Sequence, residues 1–489
     1  MNKGDKVEIT IEDISSEGQG IGKADGLAVF VRDTVAGDRI TAELTKLKKN
    51  YAIGRLTEIL EPSPYRIEPS CPYDGQCGGC TYQKMEYAGQ LMLKQKQVAD
   101  KLERLGGIKS PKVEPAVGMD RPFRYRNKAS MPVSTGGLIT KKGGIVCPVH
   151  EPRIGFYRAK SHDVIDCRDC MLQAPPAMAA AGALRQFMEE DNITSYDERW
   201  DKGLMRHMVV KTAFGTGEVM VILVINGKGI PGIAKLIEML DLAIDSIKPE
   251  EDGFSYSLES VVLNIKKGRT PEIFGNEWKV AAGKPVIMEH VGGLDFEISP
   301  RSFYQVNPEQ MEKLYEKTLE YADLKGCETV LDLYCGVGTI GLFCADQMRK
   351  KAQNAEKAGK VIGIESIREA VIDANRNAVI NGIVNAVYIC GKAEEELPRL
   401  DIKADVAILD PPRAGCRPEL LKAVASAGVK RIVYVSCDPA TMGRDLKELT
   451  KLGYGLDETT PVDMFPWTGR IEAVSCLTRS GGDVSDAKD

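Results

Sequence analysis

From about residue 290 to the C-terminus, short apolar runs alternate with helical stretches, and nothing else in the 489-residue chain constrains the fold as tightly. The runs fall at residues 329–333, 361–364, 387–390, 406–409 and 431–435, with helical spacing between them, as over 368–381 and 419–427. Apolar runs this short suit strands buried on both faces, and the helices supply the crossovers that parallel strands need. Residues 286–489 are therefore expected to form a Rossmann-like, doubly wound α/β sheet, with ligands at the carboxyl ends of its strands.

Those ends carry the chemistry. Asp332-Leu333-Tyr334-Cys335-Gly336-Val337-Gly338 follows the first run, and Glu365 ends the second. Glycines let a ligand approach the backbone, and a carboxylate at the second strand end can accept the hydroxyls of a ribose. The third glycine of a phosphate-binding loop is missing at the usual spacing, so an adenosine without phosphate, S-adenosylmethionine, fits better than a dinucleotide. Leu409-Asp410-Pro411-Pro412-Arg413 ends the fourth run, and its paired prolines make a stiff wall suited to a flat base. Arg413, where amine-directed methyltransferases carry an aromatic residue, points away from an exocyclic amine substrate. Ser436-Cys437-Asp438-Pro439 ends the fifth run. A free cysteine is commonly a buried small apolar residue, but at the active edge it becomes a candidate nucleophile. Glu472, read alone, is a surface charge.

Residues 1–60 read as a small β-barrel: period-two alternation through Val7, Ile9 and Ile11, turn glycines at 18–22, and further strands near 27–31, 40–44 and 52–59. Pro62, Pro64 and Pro69 mark a linker into a central α+β region, 61–285, with a helix near 84–106 capped by Gly106-Gly107. Strands are expected at 209–211 and 219–225 and a helix at 233–247. The tail from residue 480 reads as frayed. Thirteen cysteines, an odd number with no sign of export, favour metal binding or catalysis over disulfides. Cys71, Cys77 and Cys80 form C-x5-C-x2-C; one pair and an outlier suit an iron–sulfur cluster with a distant fourth thiolate, Cys167 or Cys170, better than zinc. Residues 121–128, Arg-Pro-Phe-Arg-Tyr-Arg-Asn-Lys, interleave cations with aromatics as an RNA contact would, or as a strand with a charged outer face would. A net charge of −5 argues against a passive nucleic-acid coat but leaves room for a local basic groove. With neither a long apolar span nor a secretory signal, the chain is expected in the cytoplasm, off the membrane, as a monomer.

The segments Phe303-Tyr304-Gln305-Val306-Asn307, 332–338, 409–415 and Ser436-Cys437-Asp438-Pro439-Ala440-Thr441, together with Glu472, resemble the RNA uracil-5-methyltransferase family. The resemblance implies a class I S-adenosylmethionine-dependent methyltransferase domain, an amino-terminal TRAM barrel of the oligonucleotide-binding type, and a 4Fe–4S cluster held by Cys71, Cys77, Cys80 and Cys170. It implies that Gln305, Tyr334, Glu365 and Asp410 contact or line the S-adenosylmethionine pocket, with Cys437 as nucleophile and Glu472 as base. It points to the branch acting on 23S ribosomal RNA, since the transfer-RNA branch typically lacks barrel and cysteine cluster. Trp467 and Arg470 stand where the family usually has histidine, and Lys392 where many class I enzymes place an acid for the adenine amine. Competing readings are a transfer-RNA uracil methyltransferase, an amine-directed RNA methyltransferase, and an iron–sulfur RNA-binding or redox protein with an inactive methyltransferase fold.

Overall fold

The computed structural model describes residues 1–15, 17–135, 140–141, 144–145, 151–248, 255–352 and 358–479; the tail from 480 lies outside the described residues. Contacts divide the chain into two compact units, one of residues 1–86, 121–301 and 306–308, the other of 87–120, 302–305 and 309–489.

In the first unit, β1 (Lys6–Thr10), β2 (Asp13–Ile14), β3 (Gly20–Ala24), β4 (Leu27–Val31), β5 (Arg39–Leu47) and β6 (Tyr51–Glu61) form one sheet ordered β1-β5-β6-β4-β3-β2. β5 shows why these residues choose strand: Ile40, Ala42 and Leu44 are buried while Arg39, Thr41 and Glu43 lie on the other face. Register shifts between β5 and β6 mark bulges, which bend the pair. The helix α1 (Tyr87–Arg104) follows and belongs to the second unit. The first unit continues with β7 (Lys128–Thr135), a two-residue pair β8 (Thr140–Lys141) and β9 (Gly144–Ile145), then β10 (Pro152–Tyr157) and β11 (Val164–Asp166). After helix α2 (Pro175–Glu190) come β12 (Met205–Thr212), β13 (Glu218–Ile225), helix α3 (Ile233–Asp245), β14 (Ser257–Ile265) and β15 (Glu277–Gly283). These strands make a seven-stranded sheet ordered β11-β10-β7-β12-β13-β14-β15. Only β13 and β14 pair in parallel, and α3 makes their crossover. Phe187 of α2, Leu236 and Leu240 of α3, and Val221 and Leu223 of β13 share one core. The expected strand pair at 209–225 and the helix from 233 are thus present. A hairpin, β16 (Ile287–Val291) and β17 (Leu294–Ile298), closes this unit.

The second unit holds α4 (Pro308–Ala322), β18 (Thr329–Leu333), α5 (Thr339–Lys351), β19 (Lys360–Glu365), α6 (Arg368–Ile380), β20 (Ala386–Cys390) and α7 (Ala393–Leu400). It continues through β21 (Val406–Leu409), α8 (Pro418–Ser426), β22 (Arg431–Ser436), α9 (Pro439–Lys451), β23 (Tyr454–Val462) and β24 (Glu472–Arg479). The sheet order is β20-β19-β18-β21-β22-β24-β23, and the first five strands run parallel. All four residues of β21 are buried, as a strand covered on both faces requires. The order reverses between β18 and β21, which opens a crevice at their carboxyl ends. β24 runs antiparallel to β22 and β23, an arrangement the sequence pattern did not announce. Val98 and Leu102 of α1 are buried in this unit's core. Among the described residues, no helix is long and apolar enough to cross a membrane.

Candidate active site at the carboxyl edge of the second sheet

The antiparallel β24 explains how a residue near the C-terminus reaches a cysteine 35 positions earlier. Ser436 stands opposite Ala473 in the register, so Cys437 and Glu472, one step further on each strand, meet at the sheet edge. Directly opposed residues on antiparallel strands lie about 4.5–5.5 Å apart. Leu409 pairs with Leu333 on one side and Tyr434 on the other, so Asp410 emerges between Tyr334 and Val435, two residues before Cys437, whose thiol feels its charge. Cys437 is half-buried and Glu472 is buried, not a surface charge.

The electrostatics of this edge are acidic. Burial pushes the Glu472 carboxyl up to about 8, and nearby Asp410 adds to it. Asp410 itself is pushed up to about 7 by burial. Asp332, at the end of β18, is raised to about 7 by burial and by its neighbours Asp410 and Glu365. Its Oδ2 accepts the Gly341 N–H at 2.9 Å, while its buried Oδ1 has no partner among the described residues. The Cys437 thiol is raised to about 11 by burial, with Glu472 and Asp410 opposing ionisation and Arg413 favouring it. Three buried carboxyls thus gather at this edge, each raised above its ordinary value. A ligand carrying positive charge would lower all of these values together.

The glycine loop is shaped by what lies beneath it. Tyr334 has φ +66°, a left-handed conformation that side chains rarely adopt. A Cβ on Gly338 would stand 2.7 Å from the Tyr388 ring, whose hydroxyl donates to the Gly338 carbonyl at 3.1 Å. That glycine serves packing as well as ligand approach. Glu365 accepts from Gly336 N at 3.2 Å, from Ile367 N at 2.8 Å and from the Ser366 hydroxyl at 3.1 Å, which fixes its carboxylate at the end of β19. A cavity of 710 Å³ opens here, lined by Tyr334, Ile364, Ser366, Lys392, Pro412 and Arg417, from the ends of four adjoining strands. Cys437, Asp410 and Glu472 are not in its lining. Gln305 is half-buried in the segment before α4 and belongs to the same unit.

Two supports were not apparent in the sequence. Asp445 of α9 accepts the Tyr434 hydroxyl at 2.6 Å and the Cys416 N–H at 2.7 Å, tying the loop after Pro412 to the sheet. The loop leading into Glu472 is held by α1. The Lys94 ammonium donates to Asp463 at 2.6 Å and to the Phe465 carbonyl at 3.2 Å, and both side chains of this ion pair are fully buried. Gln90 accepts the Trp467 N–H at 3.0 Å. Trp467, at φ +66°, lies 6.1 Å from the Tyr87 ring, and the Thr468 hydroxyl donates to the Phe465 carbonyl at 2.8 Å. This chain thus fixes the loop with a buried ion pair and an aromatic contact.

The early cysteines also converge. The Cys71, Cys77 and Cys80 thiols are each raised by burial and by the Cys170 sulfur nearby, Cys80 to about 12. Cys170 differs: it is lowered to about 6 by the Cys167 thiol donating to it, by the Leu172 and Gln173 N–H groups and by Arg126. The Cys167 thiol is buried, and its Sγ donates to the Asp169 carbonyl at 3.4 Å. Among the described residues, no three His, Cys, Asp or Glu side chains are set to hold a single metal ion. In a four-iron cluster each thiolate binds a different iron, so its ligands stand farther apart than those of one ion. The 121–128 segment serves this turn. The Arg124 guanidinium donates to the Cys170 carbonyl at 2.7 Å and to Asp169 at 2.8 Å, Tyr125 is 2% exposed, and Arg126 faces Cys170. The segment thus holds the cysteine loop through Arg124, while Arg121 is exposed.

With this geometry in view, comparison with known proteins is decisive. A family profile described as tRNA (Uracil-5-)-methyltransferase matches residues 290–480, and one described as TRAM domain matches residues 2–57. An RNA methyltransferase of Halalkalibacterium halodurans is 43% identical over 480 residues, 98% of both chains. The chain belongs to the RNA uracil-5-methyltransferase family. Another RNA methyltransferase, from Caldanaerobacter subterraneus subsp. tengcongensis, is 43% identical over 485 residues, 98% of this chain and all of that one. Among solved structures, the Pyrococcus abyssi tRNA (uracil-54, C5)-methyltransferase in complex with S-adenosyl-L-homocysteine aligns with a TM-score of 0.71 at 28% identity, over 96% of this chain and all of that one. This member of the uracil-5-methyltransferase family uses S-adenosylmethionine and acts on RNA. An architecture aligning over almost its whole length with an enzyme named for transfer RNA means that the barrel does not by itself separate the ribosomal branch from the transfer-RNA branch.

Proposed function

We propose that the enzyme methylates carbon 5 of a uridine in structured RNA through a covalent adduct, with Cys437 as nucleophile and Glu472 as base. The observation that carries this reading is the register of β22 and β24, which sets that thiol against that carboxyl. Uracil C5 is a poor nucleophile. Addition of the Cys437 thiolate to C6 moves the ring electrons into an enolate, and C5 then takes the methyl from the sulfonium, releasing S-adenosylhomocysteine. The Glu472 carboxylate removes the C5 proton, the enolate re-forms, and the C6–S bond breaks to return the thiolate and the C5=C6 double bond. The target base must leave its stack, at a cost of a few kcal/mol. Gln305, Tyr334, Glu365 and Asp410 are the residues proposed to hold S-adenosylmethionine; the raised carboxyls and the unpartnered Asp332 oxygen suit its two positive charges.

Cys71, Cys77, Cys80 and Cys170 are proposed to hold a 4Fe–4S cluster, supported by four thiols within electrostatic reach and by the donors around Cys170. No step above needs electron transfer, so its contribution is to brace the cysteine loop. The proposed substrate is 23S ribosomal RNA. A transfer RNA is the second reading, favoured by the similarity to the Pyrococcus abyssi enzyme.

The test is substitution. A Cys437→Ser enzyme loses turnover, and a Glu472→Gln enzyme accumulates an RNA–protein adduct that survives denaturation. RNA carrying 5-fluorouridine traps the wild type, whereas an amine-directed enzyme would not be trapped. Full activity in Cys437→Ser would sink the mechanism. Mapping 5-methyluridine in ribosomal and transfer RNA from a deletion strain decides the substrate.

A further inference from the structure

A second cavity, of 780 Å³, lies within the first unit, far from the methyl-transfer chemistry in sequence and built from separate segments. Its volume is within the range of ligand sites, about 300–1,000 Å³. Its walls are the turn after β2, the connection from β4 to β5, the loop at 74–85, and the β10–β11 hairpin at 156–162. Cys77 and Cys80 line it but Cys71, Cys167 and Cys170 do not, so the cavity lies beside the cysteine group and not inside it.

The walls are joined, not merely adjacent. Gly78 donates to the Tyr157 carbonyl at 3.0 Å and Ala159 to the Gln76 carbonyl at 3.1 Å, zipping the cysteine loop to the hairpin. A Cβ on Gly78 would stand 3.2 Å from Ala159 Cα, and one on Gly18 would stand 2.8 Å from Thr81 Cβ. Glycine at both positions lets three segments close around one space.

The lining combines cations with an exposed aromatic pair. Lys84 pairs with Asp33 at 2.5 Å and reaches Asp74 at 3.6 Å; Lys160 pairs with Glu17 at 2.9 Å. These pairs occupy the carboxylates of the lining. Arg32 and Arg158, both exposed, form no ion pair among the described residues. The Tyr157 and His162 rings are 5.6 Å apart and tilted by 35°, and Tyr157 is 41% exposed. Guanidiniums recognise phosphate, and an exposed aromatic face stacks a base.

We propose that this cavity holds a single-stranded stretch of the RNA substrate, with one base stacked on Tyr157 and His162 and flanking phosphates held by Arg32 and Arg158. The two guanidiniums come from different segments, which suits successive phosphates of a strand better than one free nucleotide. The inference rests on the reading of the protein as an RNA methyltransferase and adds where RNA is gripped away from the target base.

The holoenzyme is tested with substrate RNA carrying 4-thiouridine, by photo-cross-linking and by binding at several salt concentrations. Cross-links are expected in the peptide containing Tyr157 and His162. Tyr157→Ala should weaken RNA binding by about 5- to 160-fold. Arg32→Ala with Arg158→Ala should flatten the salt dependence of log K by about 1.4. S-adenosylhomocysteine affinity should stay unchanged, which reports an intact catalytic unit. RNA affinity within twofold of wild type in both variants, or cross-links confined to other peptides, would overturn the site while leaving methylation activity in place. If wild-type enzyme methylates no uridine yet cross-links at Tyr157, the proposed function fails and the cavity assignment stands.

Discussion

Replacing Lys94 with methionine removes the cation from a buried ion pair without emptying its volume. Lys94 and Asp463 are both 0% exposed in their side chains and 2.6 Å apart. Burial pushes the Lys94 pKa down and Asp463 pulls it back up. Among the described residues, Asp463 Oδ1 would keep only the Phe465 N–H, at 3.2 Å, and its Oδ2 is already without a partner. Removing one member of a buried pair leaves a desolvated charge and typically costs about 3–5 kcal/mol. The Phe465 carbonyl also loses a donor, and a hydrogen bond from a charged group is worth about 1.5–3 kcal/mol, partly contained in the first figure. The expected loss for Lys94→Met is therefore about 4 kcal/mol, read from urea unfolding, with hydrogen exchange accelerated in peptides spanning 463–471. Because that loop leads into Glu472, kcat should fall on the order of 10²-fold, while S-adenosylhomocysteine affinity stays near wild type. Lys94→Met with Asp463→Leu should recover most of the stability, since an apolar pair avoids both desolvation penalties. It should not recover kcat, because the Phe465 carbonyl still lacks the Lys94 ammonium and is held by its Thr468 donors alone. A loss under about 1 kcal/mol, or slow exchange persisting in 463–471, would refute the argument that this pair anchors the base.

Other outcomes follow from the charges at the site. The folded-state values of Asp332 and Asp410, about 7, and Glu472, about 8, all lie above the unfolded carboxyl range. Acids raised on folding stabilise below their unfolded values and lose that contribution as pH rises through the folded ones. The ligand-free enzyme should therefore lose thermal stability between pH 5 and 8.5, and S-adenosylmethionine, with its sulfonium charge, should restore more of it at pH 8.5 than S-adenosylhomocysteine does. Calorimetry at pH 7 in buffers of different ionisation enthalpy should show proton release on S-adenosylmethionine binding; net uptake would contradict the anionic-site reading. Anaerobically purified protein should carry about four irons with matching sulfide. Cys170→Ser should lose them and Cys167→Ser keep them; a zinc-only preparation would remove the cluster from consideration.

The parallel part of the second sheet was legible because its strands are continuous apolar runs and its loops carry glycine, proline and acid at their ends. Cys437 and Asp410 could be located for the same reason: each directly follows a buried strand, so strand order alone puts them on one edge. Glu472 was legible only through family resemblance. Its surroundings in sequence, Gly469, Arg470 and Ile471, carry no mark of burial, and what buries it is the antiparallel return of β24 against β22. Periodicity reports whether a strand is covered but not the direction of its neighbour, so the register that sets the thiol against the carboxyl could not be derived. The inward bonds of the 121–128 segment were not legible either. Arginine beside tyrosine has the same composition on an RNA surface and at a buried turn, and only the inward bonds of Arg124 to Cys170 and Asp169 separate the two.

The pair of Lys94 and Asp463 marks where sequence reading stops. A lysine in a helix with its apolar face at Leu93, Val98 and Leu102 is read as solvated, because a lysine is almost never fully buried unless paired. Its partner lies 369 residues away, past the entire parallel sheet, and no local pattern connects the two. Yet that distance explains the arrangement of the chain. The helix that follows the cysteine loop groups with the second unit, where Val98 and Leu102 enter the core and Lys94 holds the loop that leads to Glu472. This helix of the second unit thus holds the loop before Glu472, and deleting residues 87–104 should abolish turnover even if every strand of that unit's sheet is kept.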